Sequence, residues 1–363
     1  MTRQEIEREV LAWVAEGVDA PRDDARFDAL ALALFRLQVE QGDAYRRLCA
    51  AFARDPRTVR HWREIPAVPT GAFKEARFAI FPPEATVRTF RSSGTSTDVR
   101  GQLELDDLSL YDASLEATFR AFVCPDAERL RFLVLAPAAA DAPDSSLSYM
   151  FSRAVERMGT VASRFLVGAG GWQPDTAIRL LAGAREPLVL AGTAFAFVHL
   201  LDRLDERGEK LALPAGTRIM ETGGFKGRSR EVPRAELHGA LEAKLGVPLA
   251  RIVNQYGMCE LASQFYEPSL RTGRASDVKR VPPWVRVRAV DPVTQEDVAA
   301  GERGALAIVD LANVGSALCL LTSDQGELAE DGFRVFGRLR GAEARGCSLA
   351  ADVLLDAGAG RTQ

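Results

Sequence analysis

Six small residues, Ser92, Ser93, Gly94, Thr95, Ser96 and Thr97, stand together in the run FRSSGTSTDVRG. Glycine lets backbone N–H groups turn toward an anion, and the hydroxyls add further donors, so such a run can wrap a phosphate. It is not a Walker A loop, because no Gly-Lys-Ser/Thr ending follows. Taken alone it reads equally as a solvated connection. A second group lies in TRIMETGGFKGR, where apolar residues lead to Thr222, Gly223 and Gly224, then Lys226 and Arg228. Paired glycines at a strand end admit a flat ligand close to the backbone, although a tight turn needs them too. A third is RIVNQYGMCELASQFY. Here Tyr256 is an aromatic plate beside the turn at Gly257, and Glu260, entering the next helix, is a carboxylate suited to a divalent cation that bridges phosphates. Either residue by itself reads as structural.

These groups need elements to position them. Residues 4–54 show apolar positions at helical spacing and are expected to form a helical cap. The proline-rich stretch from His61 to Pro83, with Phe73 and Lys74 at its middle, reads as an irregular approach to a first strand, Ala85 to Phe90. Lys74 is placed to meet a phosphate, though a solvated lysine is the commoner case. Beyond the hydroxyl loop, helix-like segments (Asp106–Val123, Leu147–Met158, Pro174–Ala184, Ala194–Arg207) alternate with short apolar runs such as LRFLVLA and PLVLA. Thr160–Val167 fits another strand. This alternation predicts an α/β fold with mostly parallel sheets, right-handed crossovers and ligand sites beyond the carboxyl ends of the strands, where the loop from Ser92 to Thr97 is expected.

With 363 residues, 47% of them hydrophobic, the chain has material for a large core and two or three structural units. A formal charge of −4 leaves no electrostatic footprint for nucleic acid or an anionic membrane. No stretch approaches the roughly 20 apolar residues of a membrane span, and the start does not look like a signal peptide. Five scattered cysteines without a CxxC pair argue for a reducing, cytoplasmic setting, against a disulfide frame and against structural zinc.

The hydroxyl loop, the Gly-Gly strand end and the Tyr-Gly-Met-x-Glu motif, in this order and spacing, resemble those of the adenylate-forming ligase superfamily. Two further segments match: Asp324 in a T-S-D-x-G-E setting and Arg338 in an F-G-R setting. ETGGFKGR and the late RGCS narrow the resemblance to the acyl-protein synthetase branch, the LuxE-like proteins of fatty-acid reductase systems. It covers roughly residues 60–355. The resemblance implies the large domain of such a ligase, with a helical cap at 1–60, a core at 61–340 made of two α/β subdomains plus a small β region near 280–337, and a tail at 341–363. It implies that the six loop residues hold the phosphates of ATP, that Thr222, Gly223 and Gly224 line the adenine pocket with Tyr256 and Gly257, that Glu260 binds Mg²⁺, and that Asp324 and Arg338 meet the ribose. The superfamily's mobile C-terminal lid, which supplies a lysine for adenylation, is expected to be absent, as in that branch. Lys74, Lys226 and Arg228 are the cations that stand to replace that lysine.

The chemistry is consistent with these residues. A carboxylate attacking the α-phosphorus needs positioning and charge neutralisation but no general base. None of the three histidines sits in a hydrolase-like setting; His199 reads as packing in an apolar helix and His238 as a surface helix residue. For the second half-reaction, Cys347 follows Arg345 and Gly346 and precedes a short helix-like segment, a context that depresses a thiol pKa. In the LuxE-like branch the cysteine near the C-terminus accepts the acyl chain, and Cys347 is the matching residue. Cys259 is its rival, while Cys49, Cys124 and Cys319 read as inert core. The expectation is an ATP-dependent acyl-protein synthetase that adenylates a fatty acid and hands the acyl group to a reductase or carrier. Two other readings stay open: a ligase releasing acyl groups to coenzyme A, and a non-catalytic scaffold. Phe195–Leu204 and the turn Gly168–Trp172 are segments able to line an acyl pocket.

Overall fold

The computed structural model describes residues 1–52, 54–92, 99–168, 170–223 and 232–339. Ser93 to Thr97, Gly224, Lys226, Arg228 and Cys347 lie outside them. Two compact units emerge, and the chain passes between them more than once. One holds Met1–Ala117, Met258–Ser263 and Arg280–Gln363; the other holds Thr118–Gly257 and Gln264–Lys279.

In the first unit, helices Arg3–Ala15, Asp24–Gln41 and Asp43–Ala51 bear out the helical periodicity of the N-terminal stretch. Thr2 and Glu5 form a capping box that satisfies free N–H groups of the first helix, and Asp23 caps the second. Their apolar faces bring Trp13, Phe27 and Trp62 edge to face at 6.4 and 5.7 Å. An antiparallel ladder runs through Val285–Val290, Gly304–Asp310, Cys319–Ala329 and Gly332–Arg338, with Val68–Pro69 pairing in parallel with Cys319–Ala329. The guanidinium of Arg286 on the first of these strands lies 4.3 Å from the Phe27 ring and pairs with Asp24, fastening the helices to the sheet.

The second unit is the predicted parallel sheet. Its order runs Phe265–Tyr266, Ile252–Tyr256, Arg218–Thr222, Leu188–Thr193, Arg131–Leu135, Arg164–Phe165, with only the Phe265–Tyr266 edge antiparallel. Every residue of Arg218–Thr222 is buried, as the continuous apolar runs of a doubly covered sheet require. Helices Ser146–Met158, Pro174–Ala182, Ala194–Glu206 and Arg234–Leu245 connect the strands. Ser145 caps the first helix and Thr193 the third, each side chain accepting a backbone N–H. Thr160–Val167 does not form one strand: Arg164–Phe165 pairs into the sheet, while Val167–Gly168 pairs with Gly171–Trp172 in a separate hairpin.

The hydroxyl loop is not at the end of a parallel strand. It joins Arg88–Arg91 to Gln102–Leu105, an antiparallel hairpin in the first unit. The physical reason is visible in burial: Phe90, Leu103 and Leu105 are buried while Arg91 and Gln102 are exposed. That period-two pattern belongs to a half-covered antiparallel pair and not to a strand buried on both faces. No described helix is long and apolar enough to cross a membrane.

Candidate active site

In the first unit, the hairpin closes on itself below its loop. Ser92 N donates to Gly101 O at 2.8 Å, and Gly101 N donates to Ser92 Oγ at 2.9 Å. Arg100 reinforces the closure, its Nε donating to Ser92 O at 2.6 Å. Gly101 is needed here. A Cβ at that position would come 3.2 Å from Glu260 Oε1, 3.3 Å from Ser92 Oγ and 3.5 Å from Phe73 Cβ. Ser92, the first residue of the hydroxyl run, and the carboxylate predicted to serve the phosphates therefore meet at one glycine.

Glu260 is buried and lies in a turn, not at the start of a helix; the chain continues to the short strand Phe265–Tyr266. Burial pushes its carboxyl up to about 7, and the nearby charges of Arg338 and Lys74 pull it partly back. The turn is held by residues for which the sequence offered no signal. Asn313 Nδ2 donates to Glu260 O at 3.0 Å, while its Oδ1 accepts from Ala262 N at 2.9 Å. Asp310 accepts from Ser263 N and from Ser263 Oγ, both at 2.8 Å, and from Ala312 N at 3.0 Å. Trp284 Nε1 completes the cluster by donating to Ser263 Oγ at 3.1 Å. Asp310 is fully buried, and desolvation raises its carboxyl to about 6 against these hydrogen bonds. From the sequence, Asp310 and Asn313 look like an ordinary strand end and turn.

Asp324 and Arg338 face each other across the ladder, with Arg338 Nε 3.3 Å from Asp324 Oδ1. A register shift between Gln325 and Gly326, and the left-handed backbone of Gly337 at φ +106°, set this pair off from the regular hairpin. The Arg338 side chain is 73% exposed, which leaves the guanidinium open to a ligand. Lys74 ends the tight turn Thr70–Lys74, next to Phe73.

The second unit brings the other predicted residues together. Gln255 pairs with Thr222 in the parallel ladder, so Gly223 and Tyr256 leave neighbouring carboxyl ends side by side. Among the described residues nothing lies within 4 Å of where a Cβ on Gly223 would stand. At Gly257 a Cβ would meet only the end of the Gln255 side chain, Nε2, which can move aside, so a small side chain is tolerable there. Tyr256 lies 6.2 Å from the ring of Phe265. Beneath these ends, Glu221 accepts from His238 Nε2 at 3.0 Å and from Asn254. His238 is thus a buried partner of Glu221 and not a surface residue, because its helix turns that face onto the sheet. His199 also departs from expectation: it is exposed, with its ring 4.5 Å from that of Phe195. The Tyr-Gly-Met-x-Glu motif leaves the second unit after Gly257 and enters the first at Met258, so its tyrosine and its carboxylate serve different units.

A divalent cation suits Glu260. One buried carboxylate beside a serine hydroxyl can supply part of a Mg²⁺ shell whose remaining ligands are phosphate oxygens and water. Among the described residues no three metal-ligating side chains cluster. Cys49, Cys124 and Cys319 are buried, and burial pushes each thiol up to about 12, which makes them inert as nucleophiles.

The chain is similar in fold to solved ligases. A 2-hydroxyisobutyryl-CoA ligase in an open conformation, in complex with 2-HIB-AMP and CoA, superposes with a TM-score of 0.62 at 16% identity, covering 86% of this chain and 70% of that one. The same ligase in the postadenylation state gives 0.63 at 15% identity, covering 86% and 68%. The fold is therefore that of an adenylate-forming ligase. Residues 13–355 match the family described as acyl-protein synthetase, LuxE, and the chain belongs to that family of enzymes. Two relatives are each named long-chain-fatty-acid–luciferin-component ligase. The one from Aliivibrio fischeri is 25% identical over 276 residues, 74% of this chain and 70% of its own. The one from Vibrio harveyi is 23% identical over 328 residues, 87% and 84% of the two chains.

Proposed function

We propose that this protein is an ATP-dependent acyl-protein synthetase: it adenylates a fatty acid with Mg²⁺, transfers the acyl group to Cys347 as a thioester, and passes it to an acyl reductase or acyl carrier protein. The observation that carries the reading is the meeting of Glu260, Ser92 and Gly101 within one unit of a chain that matches the LuxE family over most of its length. The fatty acid is inferred from the names of the two relatives.

In this reading the hairpin loop, Ser92 to Thr97, donates to the phosphates, and Glu260 and the hydroxyl beside it hold Mg²⁺. When bound, the metal ion neutralises phosphate charge. Asp324 accepts from the ribose hydroxyls and the exposed Arg338 lies at the ribose edge. Thr222, Gly223, Gly224, Tyr256 and Gly257 take the adenine, whose flat face suits the bare backbone at Gly223 and the tyrosine ring. Lys226 adds positive charge to the same half. The acid's carboxylate is already ionised, so the residues orient and neutralise and no side chain need take a proton. In the second step the Cys347 thiolate attacks the acyl carbon and AMP leaves with the bonding pair. The protein is expected to work in the cytoplasm, where a free thiol persists.

Incubation with ATP, Mg²⁺ and a mixture of acids, followed by intact-protein mass spectrometry, tests this. The expected result is one acyl adduct, lost in Cys347→Ser while acid-dependent pyrophosphate–ATP exchange persists. Exchange with no adduct would favour release to coenzyme A. Absence of exchange with every acid would leave only a binding role.

A further inference from the structure

Adenylation concentrates negative charge on the leaving phosphates, and the residues so far assigned in the first unit supply little to meet it, since Glu260 is an acid and Arg338 faces Asp324. The five lysines are Lys74, Lys210, Lys226, Lys244 and Lys279. Lys244 pairs with Asp205 and Lys279 is buried against Glu267. Both belong, with Lys210 and Lys226, to the second unit. Only Lys74 belongs to the unit that holds Glu260, Asp324, Arg338 and both ends of the hydroxyl loop.

Lys74 is half-buried, and no described carboxylate pairs with it. Its neighbour Phe73 packs at the same glycine, Gly101, that meets Glu260 and Ser92, and its charge acts on Glu260. A cavity of about 520 Å³ opens beside it, lined by Lys74, Arg77, Arg91, Arg100, Gln102 and Glu104 among others. Arg77 gives Nε to Glu104 and Nη1 to Phe81 O, each at 2.6 Å, with Nη2 buried and without a hydrogen-bond partner among the described residues, and Arg100 donates to the carbonyls of Ser92 and Arg91 at 2.6 and 3.2 Å. Lys74 and the exposed Arg91, which also line the cavity, form no ion pair among the described residues. With four cations against two carboxylates, Glu75 and Glu104, the lining carries a positive excess on a chain of net charge −4.

We propose that Lys74 is the cation of the adenylation step and that the cavity beside it seats the departing pyrophosphate. The proposal rests on the ligase reading above. In the step, an oxygen of the acid's carboxylate bonds to the α-phosphorus, the bond from that phosphorus to the bridging oxygen breaks, and pyrophosphate leaves with the bonding pair. No proton moves. The ammonium neutralises the charge gathering on the bridging oxygen, as a compact donor unlike a forked guanidinium.

The test uses the full chain with Lys74→Met, Lys74→Arg, Arg91→Gln and, as a control, Lys210→Met, each checked for an unchanged melting temperature. Calorimetric titration with inorganic pyrophosphate is run beside acid-dependent pyrophosphate–ATP exchange. Lys74→Met is expected to weaken pyrophosphate binding and slow exchange by about ten- to a hundredfold, the size of one lost hydrogen bond to a charged group. Lys74→Arg restores part of both, Arg91→Gln weakens binding less, and Lys210→Met changes neither. Wild-type exchange together with unchanged titration and exchange in Lys74→Met would overturn the proposal while leaving the ligase reading intact. If the wild type fails to exchange, the ligase reading falls, and the titration still decides whether Lys74 makes a pyrophosphate site.

Discussion

Glu260 concentrates the site's electrostatics into one group. Its carboxyl is raised to about 7 from an ordinary 4.5, chiefly by burial, so near neutrality the folded protein holds it partly protonated. A cation that binds there must displace that proton. Binding of Mg²⁺ with nucleotide is therefore expected to release protons, most strongly between pH 5 and 7, as the raised value dictates. Calorimetry in buffers of different ionisation heat measures the release, and Glu260→Gln should abolish it. On the proposed metal role of Glu260, activity should rise as pH passes upward through about 7, since only the ionised carboxylate can ligate a cation. A flat proton balance would remove Glu260 from the metal's surroundings.

At the scale of elements, two devices hold this carboxylate beside the Ser92–Gly101 closure. One is the hairpin, where the missing side chain at Gly101 leaves room for Ser92 Oγ and Glu260 Oε1 on the same spot. Gly101→Ala puts a methyl 3.2 Å from that oxygen and 3.3 Å from Ser92 Oγ, which displaces side chains without breaking a ladder. Its expected outcome is a raised ATP KM with little loss of melting temperature, read by exchange kinetics and calorimetry. The other device is the clamp of Asp310 and Asn313 on residues 260–263. Asn313→Ala strands buried partners at Ala262 N and Glu260 O, a loss of about 1–3 kcal/mol each where water cannot enter. Denaturant titration should show that loss. Exchange assays should also show weaker Mg²⁺ dependence, because the Glu260 turn is then free to rotate; a stability loss with unchanged metal dependence would make the clamp merely structural.

Across the whole molecule, two buried acids with raised pKa values set a pH signature. Glu260 and Asp310, lifted to about 7 and about 6, bind more protons folded than unfolded. Their contribution to stability is complete below their ordinary values and lost as pH rises through 6 to 7. Denaturant midpoints should accordingly fall between about pH 4 and pH 7, by a free energy on the order of a few kcal/mol, and the Glu260→Gln, Asp310→Asn double variant should flatten the fall. Carboxylates held low by arginines, such as Asp126 beside Arg218, lose their contribution only in more acid solution. The cysteines offer a second whole-chain measurement. With three thiols raised to about 12, alkylation of the folded protein near neutral pH is expected to mark Cys347 first, and Cys347→Ser should remove most of the label.

What the sequence determined by itself is whatever depends on neighbours along the chain. Helical spacing in residues 4–54, the buried runs LRFLVLA and PLVLA, the turn that follows Tyr256, and the five ordered motifs all express short-range sterics and solvation, which act over a few residues. Only the tertiary structure decided what depends on distant partners. It placed the hydroxyl loop on an antiparallel hairpin and not on the parallel sheet, turned Glu260 into a clamped turn where a helix start had been expected, and buried His238 on Glu221. The physical reason is desolvation: a carboxylate, an imidazole or an asparagine takes its role from the groups that replace water around it. Those groups, Asp310 and Asn313 for the Glu260 turn, lie about fifty residues away in a stretch with no local mark of its purpose.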